Sequence, residues 1–237
     1  MSERPKAMSQ TRVVFEHLRT AIVDGRLLPG SKLNITALAE EIGVSAGAVR
    51  EGLAMLEAEA LVVSEPARGY RVSPVSAVEL QDLVNARIEI EKLCLVEAIR
   101  HGDLAWEGGV VAASHRLSRI AERDAALPDR VNPEWAASHA EFHRALVAGC
   151  PNQWLLRMHE MLYQQSERYR QLSVPLAKVK RDVKAEHQAL VDAVLGKDIR
   201  LAQELIEKHL GLTAQMLLNS PHLALSPAEI QAQSLNG

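Results

Sequence analysis

The sequence predicts a mainly α-helical chain in two parts: a small three-helix domain carrying a β-hairpin, followed by an all-helical bundle. Three observations predict it. Apolar residues recur at helical spacing through most of the chain. The two strand-like runs stand close together, around Pro66. The length, 237 residues, is large for one compact core and comfortable for two.

Element by element, Val14, Phe15, Leu18, Ala21 and Ile22 share one face of a helix from Arg12 to Asp24, which the stretch Gly25 to Gly30 stops. A second helix fits Ile35 to Ile42, with Asn34 or Thr36 as cap and Gly43 as terminator. A third starts after Ser45 and runs through Val49, Leu53 and Leu56 to about Ala60. Two short strands, Leu61 to Ser64 and Gly69 to Ser73, flank a turn. Three helices and a hairpin describe a winged helix-turn-helix over residues 10–75.

The bundle occupies residues 76–220. Val78 to Arg100 is apolar on more than one side, which requires burial by several neighbours. Helical segments follow at about Leu104 to Ala125, Pro133 to Ala148, Gln153 to Leu172, Val174 to Leu195 and Asp198 to Leu218, with residues 221–237 as a tail.

Composition narrows the function classes. Hydrophobic residues make up 47% and charged residues 24%, which excludes disorder along the whole chain. A formal net charge of -3 excludes a protein that holds nucleic acid by bulk electrostatics, but not one with a local basic face. Cys94 and Cys150 form neither a disulfide framework nor a thiolate metal site, and read as buried thiols in a reducing compartment. No run of 18 apolar residues occurs, so the expectation is a cytoplasmic protein without a membrane span.

The string DGRLLPGSKLNITALAEEIGVSAGAVREGLAMLEAEALV, with the following ARGYRV, resembles the DNA-binding domain of the GntR family of bacterial transcription regulators. Such a domain places the start of its third helix in the major groove and its wing tip at the minor groove. The resemblance implies contacts to double-stranded, palindromic operator DNA from Ser45, Gly47, Ala48 and Arg50, with Arg68 and Gly69 at the wing. Read alone, Arg50 could equally pair with Glu51 or Glu57. Family members commonly carry an arginine where this chain has Ala46, and Thr-Pro where it has Gly47 and Ala48. Acids roughly balance bases over residues 1–75, so tight binding needs two copies on one operator and a homodimer built by the rest of the chain.

Further on, VNARIEIEKLCLVEAI, HAEFHRALVAGCPNQWLL and AEHQALVDAVLGKDIRLAQELIEKHL resemble the FCD ligand-binding domain of the FadR subfamily of the same family. That domain dimerises and binds a small effector, usually a carboxylate, commonly beside a divalent metal. His139 and His143, four apart on one helix, face the same way with Cβ atoms roughly 6 Å apart, a spacing a metal can bridge. The resemblance carries the family's three histidines onto His143, His187 and His209, and puts His139 where the family has an aspartate. A fourth imidazole in place of a carboxylate favours Zn, Ni, Cu or Fe over Mg or Ca. Arg87 matches the arginine that the family often aims at effector carboxylates, with Glu91 or Glu89 as the alternative internal partner. Arg168, with its neighbours Tyr169 and Arg170, either offers the pocket a further cation or hydroxyl or lies on an exposed face. His17, His101, His115, His159 and His222 read as structural.

The function expected is a ligand-responsive DNA-binding regulator, most often a repressor in this family, whose helical domain binds a small carboxylate at a His-coordinated metal, Zn first, with Ni or Fe as alternatives. A regulator responding to the metal itself is the alternative. A zinc-dependent hydrolase ranks lower, because Glu141 and Glu186, the acids beside histidines in sequence, should point to other faces of their helices.

Overall fold

The computed structural model describes residues 9–66, 68–124, 131–173 and 181–218. They fall into two compact units, the first ending at Val75 and the second beginning at Ser76.

In the first unit, α1 (Gln10–Val23), α2 (Ile35–Ile42) and α3 (Ala46–Ala58) are each opened by a short polar side chain. Ser9 Oγ accepts from the Arg12 amide, Asn34 Oδ1 from Thr36 and Ala37, and Ser45 Oγ from Ala48 at 3.1 Å. Each cap satisfies amides that have no intrahelical partner. Gly43 ends α2 at a φ of 74°, where an L side chain would be strained. Apolar faces meet in one core of Val14, Phe15, Leu18, Val49, Leu53, Leu56 and Val72. Gly52 lets α3 approach α1 so closely that a Cβ there would lie 2.6 Å from Val14 Cγ1.

The hairpin strands are β2 (Val62–Glu65) and β3 (Gly69–Val72), and a third strand, β1 (Lys32–Leu33), which the sequence did not reveal, pairs antiparallel with β3. The sheet order is β1-β3-β2. Two residues are too few to show alternation, so β1 exists only through its partner.

In the second unit, α4 (Ala77–His101) is flanked by α6 (Pro133–Val147), α7 (Gln153–Ser173) and α9 (Ile199–Leu218), with α5 (Leu104–Ser118) and α8 (Val183–Leu195) completing the bundle. That several-sided contact explains the several-sided hydrophobicity of α4. The core includes Cys94, Leu95, Phe142, Leu146, Leu190 and Ile206. Two boundaries differ from expectation. Helix α5 stops at Ser118 rather than near Ala125, and Arg123 then bridges to Val131 as in a short antiparallel pair. Helix α8 begins at Val183, behind its cap Asp182, so Arg181 and Asp182 are not helical as expected, and residues 174–180, where that helix was expected to start, lie outside the described residues. The tail, residues 221–237, lies outside the described residues. No described helix is long and apolar enough to cross a membrane.

Candidate DNA-reading face and candidate metal centre

At the start of α3, Ser45, Gly47 and Arg50 are exposed. Arg50 has no hydrogen-bond or ionic partner among the described residues, because both acids that might hold it are committed elsewhere. Glu51 accepts from Thr11 Oγ1 at 2.7 Å, and Glu57 accepts from the amide and the hydroxyl of Ser64. The guanidinium is therefore available to phosphate or base edges. Ala48 is a correction. It is buried in the domain core, and its amide is taken by the Ser45 cap, so neither reaches outward. At the wing, the Arg68 amide closes the turn onto the Glu65 carbonyl at 3.0 Å, while its side chain is exposed. Gly69 takes a φ of 84°, which the tight turn demands. Arg71, by contrast, is used structurally, donating to Glu65 and to the Gly30 carbonyl.

In the second unit, His139 and His143 from α6, His187 from α8 and His209 from α9 are all buried, and one ligating nitrogen from each lies within 4.8 Å of the others. The four imidazoles expected from sequence do converge. Ring centroids are 4.6 Å apart for His139 and His143 and 4.9 Å apart for His187 and His209.

What the sequence did not reveal is the shell that aims them. His143 Nδ1 lies 2.8 Å from Glu91 Oε1, His209 Nδ1 lies 2.9 Å from Glu186 Oε2, and His139 Nδ1 lies 3.0 Å from the Tyr163 hydroxyl. Burial raises Glu91, but the Arg87 guanidinium and His143 outweigh it and hold that carboxyl well below the usual range. Glu186, with burial likewise opposing, is pulled down to about 2 by its bonds to His209 and Arg181. An ionised carboxylate can only accept, so the proton on His143 sits on Nδ1, whereas His209 Nδ1 faces both Glu186 Oε2 at 2.9 Å and the Arg181 Nη2 donor at 3.2 Å. The Nε2 of His143 is then left as an unprotonated ligand atom. His143 Nε2 and His187 Nε2 are buried without a hydrogen-bond partner among the described residues. Burial also lowers the pKa of all four histidines, that of His143 to about 4, so near neutral pH each is an uncharged donor.

These features fit a divalent transition metal. Nitrogen ligands about 2.0–2.1 Å from Zn need donors a few ångströms apart, imidazole suits Zn, Ni, Cu and Fe, and metal-binding histidines usually give their second ring nitrogen to a carboxylate or another polar group. Orphaned buried nitrogens otherwise have no compensation for lost hydration.

Arg87 does pair with Glu91, Nε to Oε2 at 3.0 Å, yet it also lines a cavity of about 110 Å³ that His139, His143 and His209 border. Arg168 is a second correction. It is buried but does not line this cavity. Its Nη1 donates to Gln165, and its neighbour Tyr169 donates to Glu79. Arg170 lines the cavity instead, because residues two apart on a helix differ by about 200° in direction. None of Arg168, Tyr169 and Arg170 is exposed. Glu186 also departs from expectation: it does leave the face of His187, but it meets His209 on the neighbouring helix. Tied there and to Arg181, with its pKa near 2, it is a poor general base. His159, read as structural, is buried with its Nε2 3.7 Å from Glu91.

Comparison with known proteins agrees with this architecture. The model of the gntR family of bacterial regulatory proteins matches residues 10–72, and that of the FCD domain matches residues 82–212. The HTH-type transcriptional regulator BphR of Paraburkholderia xenovorans (strain LB400) is 38% identical over 202 residues, 85% of this chain and 82% of that protein. The HTH-type transcriptional repressor GlaR of Escherichia coli (strain K12) is 36% identical over 203 residues, 83% of this chain and 90% of that protein. Among solved structures, E. coli McbR/YncC shares the fold with a TM-score of 0.73 at 20% identity, over 89% of this chain and 98% of that one. The chain belongs to the GntR family of bacterial regulatory proteins, in its FadR-type branch with an FCD domain, and is a DNA-binding transcription regulator rather than an enzyme.

Proposed function

We propose that this regulator is a cytoplasmic homodimeric repressor whose helical domain binds a small carboxylate effector at a metal held by His139, His143, His187 and His209. The observation that carries the reading is the set of four buried imidazoles, three of them with Nδ1 held from behind and two with an orphaned Nε2. Four neutral ligands leave the charge of a divalent ion unreduced, so the ion serves as an electrostatic anchor for an anion. Arg87, on the same cavity wall, supplies a cation to the rest of the ligand. A repressor is also what the relative GlaR is named.

On the DNA side, Ser45, Gly47 and Arg50 at the start of α3, with Arg68 and Gly69 at the wing, meet the operator, and two copies share one palindrome. Effector and operator favour different arrangements of the dimer, so each weakens the binding of the other by the same factor.

The test is metal analysis of the purified full-length protein and of a His143→Ala, His187→Ala double variant, in buffers without chelator or imidazole. About one metal ion per chain in the wild type, lost in the variant, supports the reading, and a carboxylate screen by thermal shift then follows. DNA affinity that tracks metal concentration with no organic acid present would favour the metal itself as effector. Wild-type protein that neither holds metal nor is stabilised by added Zn or Ni overturns the site.

A further inference from the structure

Ser76 and Glu79 open α4 as the S-x-x-E of a capping box, and Ser76 Oγ accepts from the Glu79 amide at 3.0 Å. In a self-contained box the carboxylate of the fourth residue returns to the amide of the first. Here the carboxylate is engaged elsewhere. Glu79 Oε2 accepts from the Tyr169 hydroxyl of α7 at 2.7 Å. The Ser76 amide also bears on that hydroxyl, opposing the upward push that burial and Glu79 give its pKa. A side chain 90 residues further along the chain is thus built into the cap of α4.

Its place in the chain gives this joint a role. The DNA-binding unit ends at Val75 and continues directly into Ser76, so the capped turn is its tether. On α7, Tyr169 is buried, and the next residue, Arg170, pairs with Glu167 on the cavity wall. Arg170 Cζ lies 4.8 Å from the Trp135 ring centroid, and Trp135 stacks on His139 at 4.6 Å. On α4, Leu80, the residue after Glu79, borders the same cavity. The joint therefore lies directly behind the cavity wall. Two heads that must meet one operator at a fixed spacing lose less freedom on binding when their tethers are already held. Opening the joint need not cost the helix its cap, because Glu79 can return to the Ser76 amide and close the box unaided. The first turn of α4 thus has two closures, one tied to α7 and one independent of it.

We propose that Tyr169 is a positioning residue for operator binding: by bonding Glu79 it docks the first turn of α4 on α7 and holds the tether of the DNA-binding domain ready for the operator. The inference rests on the reading that two copies share one operator, and requires neither a metal nor an organic effector.

The experiment measures, by fluorescence anisotropy, the affinity of the full-length protein for a duplex that the wild type selects from a random-sequence pool. Tyr169→Phe removes the donor alone and should lower affinity at least about fivefold, the low end of ordinary coupling between sites, with helix content and oligomeric state unchanged. Glu79→Ala removes the acceptor and should lower it similarly, whereas Glu79→Gln, which keeps an acceptor oxygen, should retain most of it. The Tyr169→Phe, Glu79→Ala double variant should fall no further than the weaker single, since both delete one contact. Trp106→Phe, which deletes the bond from the indole nitrogen of α5 to the Ala145 carbonyl of α6, should lower the melting temperature and leave operator affinity as it was. Should Tyr169→Phe fold poorly by circular dichroism, Glu79→Ala, at an exposed position, carries the test. Wild-type affinity in a folded Tyr169→Phe or Glu79→Ala overturns the proposal, as does an equal loss in Trp106→Phe. Wild-type protein bound as one chain per duplex overturns the two-copy reading and this inference with it. Two chains per duplex with unchanged affinity in the variants overturns this inference alone.

Discussion

Glu91 and His143, 52 residues apart in sequence, are joined by a 2.8 Å contact with both side chains closed to solvent, and the same carboxylate receives Arg87 through its other oxygen. One buried acid thus orients an imidazole of the four-histidine cluster and holds the arginine on the cavity wall.

If the cluster holds a metal as proposed, removing that charge should loosen it without dismantling the helix. Glu91→Gln keeps an acceptor of the same shape but no longer fixes the His143 proton, and metal affinity is expected to fall about 10–100-fold. Competition against a chelator of known affinity measures it, with Glu89→Gln, at an exposed position of the same helix, as control. Wild-type affinity in Glu91→Gln would remove Glu91 from this role.

Arg50 has no partner among the described residues, so its loss should be felt only at DNA. Arg50→Ala is expected to cost about 1–3 kcal/mol per half-site, a tenfold or larger fall in operator affinity, with oligomeric state and metal content unchanged. Electrophoretic mobility shift on the operator fragment reads it. Retained affinity contradicts the docking described.

Two glycine substitutions should have opposite signs. An alanine at position 52 gains up to about 1 kcal/mol of helix propensity, but its Cβ meets fully buried Val14 at 2.6 Å and the Phe15 amide nitrogen at 3.3 Å. Backbone cannot give as a surface side chain does, and overpacking of about 1–3 kcal/mol should prevail, so Gly52→Ala destabilises the first domain. At Gly108 in α5 nothing lies within 4 Å, and Gly108→Ala should stabilise the second by up to about 1 kcal/mol. Urea denaturation of each variant gives the sign.

Acid should weaken the metal-free protein. Below the ordinary histidine value of 6.5 the unfolded chain takes up protons that the folded cluster refuses, so stability falls with pH from about 6.5 down to about 4, where His143 itself protonates. Glu186, depressed from 4.5 to about 2, adds stability that is present above 4.5 and lost between those values. Melting temperatures of chelator-treated protein between pH 8 and pH 4.5 should decline through this window, and a flat profile from pH 7 to pH 5 would contradict the burial of neutral imidazoles.

Much of this was legible in the chain, and the exceptions share a cause. His139 and His143 announce themselves by their spacing of four, and the caps Asn34 and Ser45 by residue type and place. Glu91, Tyr163 and Glu186 reach their histidines across 52, 24 and 23 residues, and no periodic pattern encodes a contact between helices. Arg168 and Arg170 were inseparable because residues 166–170 of α7 are buried on every side, so hydropathy sets no rotational phase there. Ala48 was ambiguous because a small side chain suits both a core and a groove.

The stacking of Trp135 between His139 and Arg170 gives the protein its own optical gauge. Of its three tryptophans, Trp106 is bound through its indole nitrogen to the Ala145 carbonyl and Trp154 is exposed, so Trp135 alone shares a face with the imidazole cluster. Filling of the cluster by an open-shell ion such as Ni or Cu would quench the emission of that indole, whereas closed-shell Zn would leave it bright. Whether the cluster takes up an ion, and of which kind, can therefore be followed by light, without any label.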